Sequence, residues 1–196
     1  MAKIANTAFE ARVTDYRTDD LCNVAGKYQE SNADAICSAG ILCVRASKLP
    51  CEGFSGVYNE NAWIFNAATA DATMDDVIYA QNSYEWQLLP DGARSYAVGH
   101  ETLSLALPAG RIGNFTRVDF DGQKQYRFGV GNLSAALSTN KYLKLTANGL
   151  LLPAASAPTA AGSIYFEVVE TGNFVEGNVD SFGYVQVIGH KVSFAA

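Results

Sequence analysis

The side chains best equipped for chemistry in this sequence are His100 and His190, the cysteines Cys22, Cys37, Cys43 and Cys51, and the doublets Asp19-Asp20 and Asp75-Asp76. A metal site needs ligands at close, recurring spacings, as in Cys-x2-Cys pairs. The four cysteines are separated by fourteen, five and seven residues, and neither histidine lies near them in sequence, so they read as free, partly buried thiols and no metal is expected. A nucleophilic pair such as Cys43 with His100 would have to meet in space, and nothing in the sequence selects it. Glycoside hydrolysis needs two carboxyls across a cleft. Adjacent strand residues point to opposite faces, so neither doublet supplies such a pair, and Asp75-Asp76 before VIYA reads as turn chemistry at a strand start. GRIGNF (110–115) lacks the Lys-Ser/Thr of a phosphate loop and reads as bulge or hairpin glycines. No catalytic residue and no cofactor are assigned.

Aromatic residues remain the distinctive type, with ten Tyr, ten Phe, Trp63 and Trp86. In YEWQLLP (84–90), Tyr84 and Trp86 would share one face of a strand, and together with Trp63 they form a candidate contact surface for protein or sugar. Core packing is the plainer use of most such rings.

These side chains would have to be positioned by short strands. ILCVRAS (41–47), GFSGVY (53–58), AWIFNA (62–67), DVIYAQ (76–81), RSYAVG (94–99) and ETLSLAL (101–107) are β-type runs punctuated by Asn, Asp, Gly or Pro. FTRVDFDGQKQYRFGV (115–130) alternates apolar and charged residues around Asp121-Gly122 and predicts a hairpin. KYLKLT, GLLLPA, SIYFEVVE, FGYVQVIG and KVSFA continue the pattern, with AASAPTAAG as a surface connection. No long helical series survives the Gly and Asn breaks after residue 40. The fold class is therefore all-β, an antiparallel sandwich or barrel of short strands over 40–196. Residues 1–39 are polar and weakly periodic and predict an extended, mostly irregular N-terminal arm with one short helix near Ala33 to Ser38.

Composition narrows the partners. The net charge is -6 and the 14 Lys and Arg are scattered singly, which disfavours nucleic acid and anionic membranes. No apolar run reaches the roughly 18 to 20 residues of a membrane span, and the acidic N-terminal stretch predicts no signal peptide, hence synthesis in a cytoplasm. With 17% charged residues the surface is charge-poor, as suits a protein partly covered by other protein.

One tract carries a family resemblance. Lys141 to Thr146, then GLLLPA, ASAPTAAG, SIYFEVVE and TGNF, resembles the "strand, G-L-L-x-P-A, alanine-rich loop, strand, E-x-G-x-F" of head decoration (cement) proteins of tailed bacteriophages; LPAGRIGNF has a similar flavour. The resemblance covers the C-terminal half. It implies a non-enzymatic virion protein that binds the outside of a capsid, with the major capsid protein as partner, forms a homo-oligomer, often a trimer, and stabilises the shell by bridging neighbouring subunits. The N-terminal arm would be the clamp, with Ala2, Lys3, Ile4, Asn6, Phe9 and Arg12 as capsid contacts. Two alternatives stay open: a tail-tube or head-tail connector protein, and a receptor- or carbohydrate-binding adhesin using the aromatic surface.

Overall fold

The computed structural model describes residues 4–12, 23–51, 53, 55–82, 86–88, 94–96, 106–174 and 182–194. In chain order the strands are β1 (Phe9–Arg12), β2 (Asn23–Glu30), β3 (Ala33–Asp34), β4 (Leu42–Pro50), β5 (Tyr58–Ala67), β6 (Ile78–Gln81), β7 (Trp86–Leu88), β8 (Arg94–Tyr96), β9 (Gly113–Arg117), β10 (Gln125–Gly129), β11 (Tyr142–Leu145), β12 (Leu151–Ala154), β13 (Ile164–Phe174) and β14 (Phe182–Lys191). The all-β expectation holds. One six-stranded sheet has the order β1-β10-β14-β13-β11-β12 and is antiparallel throughout. The other has the order β3-β2-β5-β4-β6-β9, and β9 pairs back onto β2, so five of its strands close into a ring. Closure removes the open edges that a flat sheet would present.

Alternation explains how the two sheets share the chain. On β4 and β6, Leu42, Val44, Ile78 and Ala80 face the flat sheet, whereas Cys43 and Tyr79 point into the ring. Both faces of these strands are buried, which is why IYAQ has no exposed side. The core between the sheets joins those residues to Phe9, Tyr126, Phe128, Leu143, Leu151, Phe166, Val185 and Val187. The ring interior holds Tyr28, Cys37, Ile41, Phe65, Leu107 and Phe115, with Phe65 stacked on Phe115 at 4.0 Å.

Several expectations are corrected. The described residues of the expected arm, 4–12 and 23–39, supply β1, β2 and β3, because Phe9, Tyr28 and Cys37 are core residues that a polar average over the segment conceals. The helix expected near Ala33 to Ser38 is absent; Glu30↔Ala33 and Gln29↔Asp34 pair across a tight turn at Ser31 and Asn32, both with positive φ. The ring is not purely antiparallel, since β2 and β5 run parallel from Ala25↔Ala62 to Tyr28↔Phe65. The hairpin expected over 115–130 does not form: β9 pairs with β6 and β2, and β10 pairs with β1 and β14. Phe120, packed on Phe166 at 5.0 Å, draws the intervening chain across the sheet interface, and the Tyr126 hydroxyl accepts from the Asp119 amide at 2.8 Å. The alanine-proline segment does connect two strands, and Pro153 sits on β12, the outermost strand of its sheet, where a missing N–H is tolerated.

Candidate interaction surface

One exposed surface is carried by the β4–β5 hairpin. β4 and β5 are nine and ten residues long, more than the ring uses. Val44 pairs with Ile78, the first residue of β6, and β2 contacts β5 only from Ala62 onward. Past Val44, Arg45, Ser47 and Lys48 pair with Phe65, Ile64 and Trp63 within the ring, and beyond them Pro50 pairs with Tyr58; all of Arg45–Lys48 and Tyr58–Asn61 are exposed. Register shifts at Arg45/Ser47 and Lys48/Pro50 mark bulges in the β4–β5 ladder. Near its tip Val57 and Tyr58 are about half exposed, at 49% and 54%. At its root Trp63 is half-buried, with the Arg45 guanidinium 4.6 Å from its ring centre and the Lys48 ammonium 5.9 Å away. Arg45 also lies 4.7 Å from the Tyr79 ring, so it is held between two aromatic faces. Such contacts contribute roughly 0.5–1 kcal/mol at exposed sites and fix where the cations stand.

At the same end of the ring lies an acidic notch of about 220 Å³, lined by Met74, Asp75, Asp76, Val77, Asp119 and Asp121 together with Arg117 and Lys191. The turn preceding β6 is built by local bonds: the Asp76 carboxylate accepts from the Thr73 amide at 2.8 Å, and the Met74 amide donates to the Gly162 carbonyl at 2.8 Å. Asp119 is neutralised by Arg117 at 2.9 Å and Lys124 at 2.7 Å. Met74 and Val77 remain exposed on the rim.

A second surface lies towards the other end of β14. An open groove of about 660 Å³ runs between β13, β14 and the 130–137 segment, with Val130, Leu133, Ala136 and Leu137 along one wall. Its floor includes Gly172 and Gly183, where a Cβ would meet the Tyr184 hydroxyl and the Val130 side chain at 2.7 and 2.8 Å. Tyr184 is fixed by donating to Glu170 at 2.8 Å and by Arg127 lying 4.3 Å over its ring.

The outer face of the flat sheet carries a row of Tyr142, Tyr165 and His190, with centroids 6.0 and 5.3 Å apart. Burial, then the Glu167 carboxylate, raise the Tyr165 hydroxyl above its usual range. His190 Nε2 approaches Glu167 to 3.3 Å without forming a well-directed hydrogen bond.

The residues singled out from sequence are scattered over this molecule. Phe9 is a core residue, 4% exposed and 5.4 Å from Phe128. Ile4 is half-buried against the ring core, and its amide donates to Ser38 Oγ at 2.9 Å. Asn6 is exposed in a turn with φ 57 and Arg12 pairs with Gln125 on β10, so Ile4 to Arg12 lies along the body as its first strand and lead-in. Trp63 belongs to the hairpin surface, and Trp86 pairs with Tyr96 in the small β7–β8 ladder. Ala2, Lys3, Tyr84 and His100 lie outside the described residues. Sequence reading missed Arg45 and Lys48 as neighbours of Trp63. Their signal, a β run either side of a Gly-containing turn, was divided between two separate strands.

Cys37 and Cys43 are buried in the ring, and Cys51 is half-buried at the hairpin turn; Cys22 is outside the described residues. Among the described residues no three His, Cys, Asp or Glu side chains gather as metal ligands, and no helix is long and apolar enough to cross a membrane. Searches among protein-family models, curated proteins and solved structures find no match to this chain.

Proposed function

We propose that this protein is a non-enzymatic virion structural protein that binds the outside of a phage capsid and stabilises it by bridging neighbouring capsid subunits. The observation that carries the reading is the presence of two separate contact surfaces on one β body. The hairpin and notch stand at one end, and the apolar groove lies towards the other. From Val185 in the groove to Lys191 in the notch, β14 advances six residues, roughly 20 Å at about 3.3 Å per residue. A bridging protein needs two attachment points held at a fixed distance, because simultaneous engagement multiplies modest contacts into tight attachment. An all-β frame holds that distance, and the charge-poor composition lowers the desolvation cost of covering its surface. The resemblance of the 141–174 tract to decoration proteins points the same way.

In this reading the groove faces the major capsid protein. Its apolar wall would bury a side chain or strand of the shell, replacing the N-terminal clamp expected from sequence. The test is co-sedimentation of the purified chain with assembled phage heads. Saturable binding is expected, weakened roughly tenfold or more by Ala136→Arg, which places an unpaired charge at the groove wall. Absence of binding by the wild-type chain would overturn the proposal, and self-assembly into rings or tubes without heads would favour a connector or tail-tube role.

A further inference from the structure

The two flanks of β13 are used unequally. β14 pairs with it along its whole length, from Ile164 to Phe174. On the other flank β11 reaches only Phe166 and Glu167, and the Val168 amide donates to the Lys141 carbonyl at 2.8 Å. Before Lys141 the chain turns away, with the Asn140 amide donating to the Leu137 carbonyl at 3.0 Å. From Val169 to Asn173 no described residue pairs with that flank. Val169, Glu170, Thr171 and Asn173 are all exposed, so alternate backbone N–H and C=O groups face outward along roughly 17 Å of strand, at about 3.3 Å per residue. Edges that must stay unpaired carry Lys, Pro or a covering segment. The bulge between Val168 and Glu170 lies at the start of this stretch, and past Glu170 it carries only Thr171, Gly172 and Asn173.

This open edge is also the mouth of the apolar groove. Thr171 and Asn173 lie opposite Val185 and Gly183, on the side of the sheet that meets Val130, Leu133 and Leu137. Glu170 turns to the other face, where its carboxylate accepts from the Tyr184 hydroxyl at 2.8 Å and, among the described residues, pairs with no cation. We propose that the groove takes an extended peptide strand, which pairs with Val169–Asn173 and adds one strand to the flat sheet. The chemistry of the occupant follows from alternation. Side chains of an added strand fall in turn into the groove, against Leu133 and Leu137, and onto the outer face beside Glu170, so the matching strand alternates apolar residues with Lys or Arg. Main-chain hydrogen bonds supply the attachment, and the recess supplies the selectivity. A second copy's β13 does not match, because its groove-side residues Thr171 and Asn173 are polar and it would bring a second Glu170 to the outer face.

The inference rests on the capsid reading only for the source of the strand, an extended segment of the shell subunit, and deepens it by naming the mode of attachment. It is tested without heads, using a terminally blocked peptide that alternates valine and lysine over about eight residues. Titrated into the full chain at low salt, the peptide should bind saturably, and exchange of the edge-facing amides in Val169–Asn173 should slow roughly tenfold or more. The same peptide N-methylated along one edge, and a peptide of equal composition with its valines consecutive, should each bind roughly tenfold more weakly. Both changes leave the protein untouched. Ala136→Arg should weaken uptake of the parent peptide by a similar factor, with a thermal melt confirming that the variant folds. No uptake by the wild-type chain, undiminished binding of the N-methylated peptide, or edge amides already protected by self-association would overturn the proposal. Heads that bind the chain while those amides still exchange fast would remove the added strand and leave the capsid reading standing. Peptide uptake without head binding would remove the capsid reading and leave the strand site.

Discussion

Cys37 shows how a single side chain in this protein responds to its surroundings. Burial inside the ring pushes its thiol well above the ordinary range, and the neighbouring Cys43 thiol adds to the effect. Burial likewise raises the hydroxyls of Tyr28 and Tyr126. All three groups stay protonated in the folded chain at pH values where the unfolded chain ionises, so the native state binds more protons and stability falls as pH rises. The contribution is fully present below the unfolded thiol value of about 8.5 and is lost progressively above it, with a steeper loss above about 10 as the tyrosines join. Urea unfolding measured from neutral to strongly alkaline pH should therefore show a declining free energy beginning near the thiol range. A flat profile would mean that these groups are not buried as described. Asp34 has the opposite sign: hydrogen bonds from Lys27 and Gln29 lower its carboxyl, so its small, exposed contribution is lost only on acidification.

At the scale of elements, the parallel seam between β2 and β5 closes the ring, and it depends on Gly26. Gly26 pairs with Trp63, and a Cβ there would meet the Trp63 carbonyl at 2.6 Å and the Phe65 ring. Gly26→Ala should cost about 1–3 kcal/mol by overpacking, with the loss read as a lower denaturation midpoint at an unchanged slope. A neutral substitution would show that the seam relaxes. The same seam shows what the sequence could disclose. Short β runs with alternating burial were legible because the pattern is local, as in YLKL and LLPA. The partner of each strand was not. Asp121-Gly122 is a strong local hairpin signal, yet Gly122, with φ +80, turns a connection in which its amide donates to the Gly189 carbonyl at 2.9 Å. Long-range pairing overrides turn chemistry here: β9 pairs with β2 and β6, β10 with β1 and β14, and Phe120 packs on Phe166. The interaction surface was less legible still, since Trp63 was visible as an aromatic residue but its cations come from the paired strand.

At the scale of the whole molecule, the N-terminal segment ties the two sheets together, and this changes what its removal would test. Along its course the Ile4 amide binds Ser38 Oγ, the Gly131 amide binds the Asn6 carbonyl, and the Ala8 amide binds Asn132 Oδ1. Asn132 is buried and its Nδ2 also donates to the Ala39 carbonyl at 2.8 Å, so one side chain links the segment, the loop leading to β4, and the turn after β10. Deleting residues 1–12 removes Phe9 from the shared core, exposes the β10 edge and leaves Asn132 without one of its buried partners. Loss of Phe9 alone should cost about 3–5 kcal/mol, and an orphaned buried polar group about 1–3 kcal/mol more. Against a typical stability of about 5–15 kcal/mol, the truncated chain should be marginal or unfolded. Circular dichroism and a thermal melt of the truncated chain would check this. An intact, cooperative transition with a midpoint close to that of the full chain would return residues 1–12 to the role of a detachable clamp. A collapsed transition would mean that lost capsid binding on truncation reports unfolding, so that substitutions in the groove are the sounder probe of attachment.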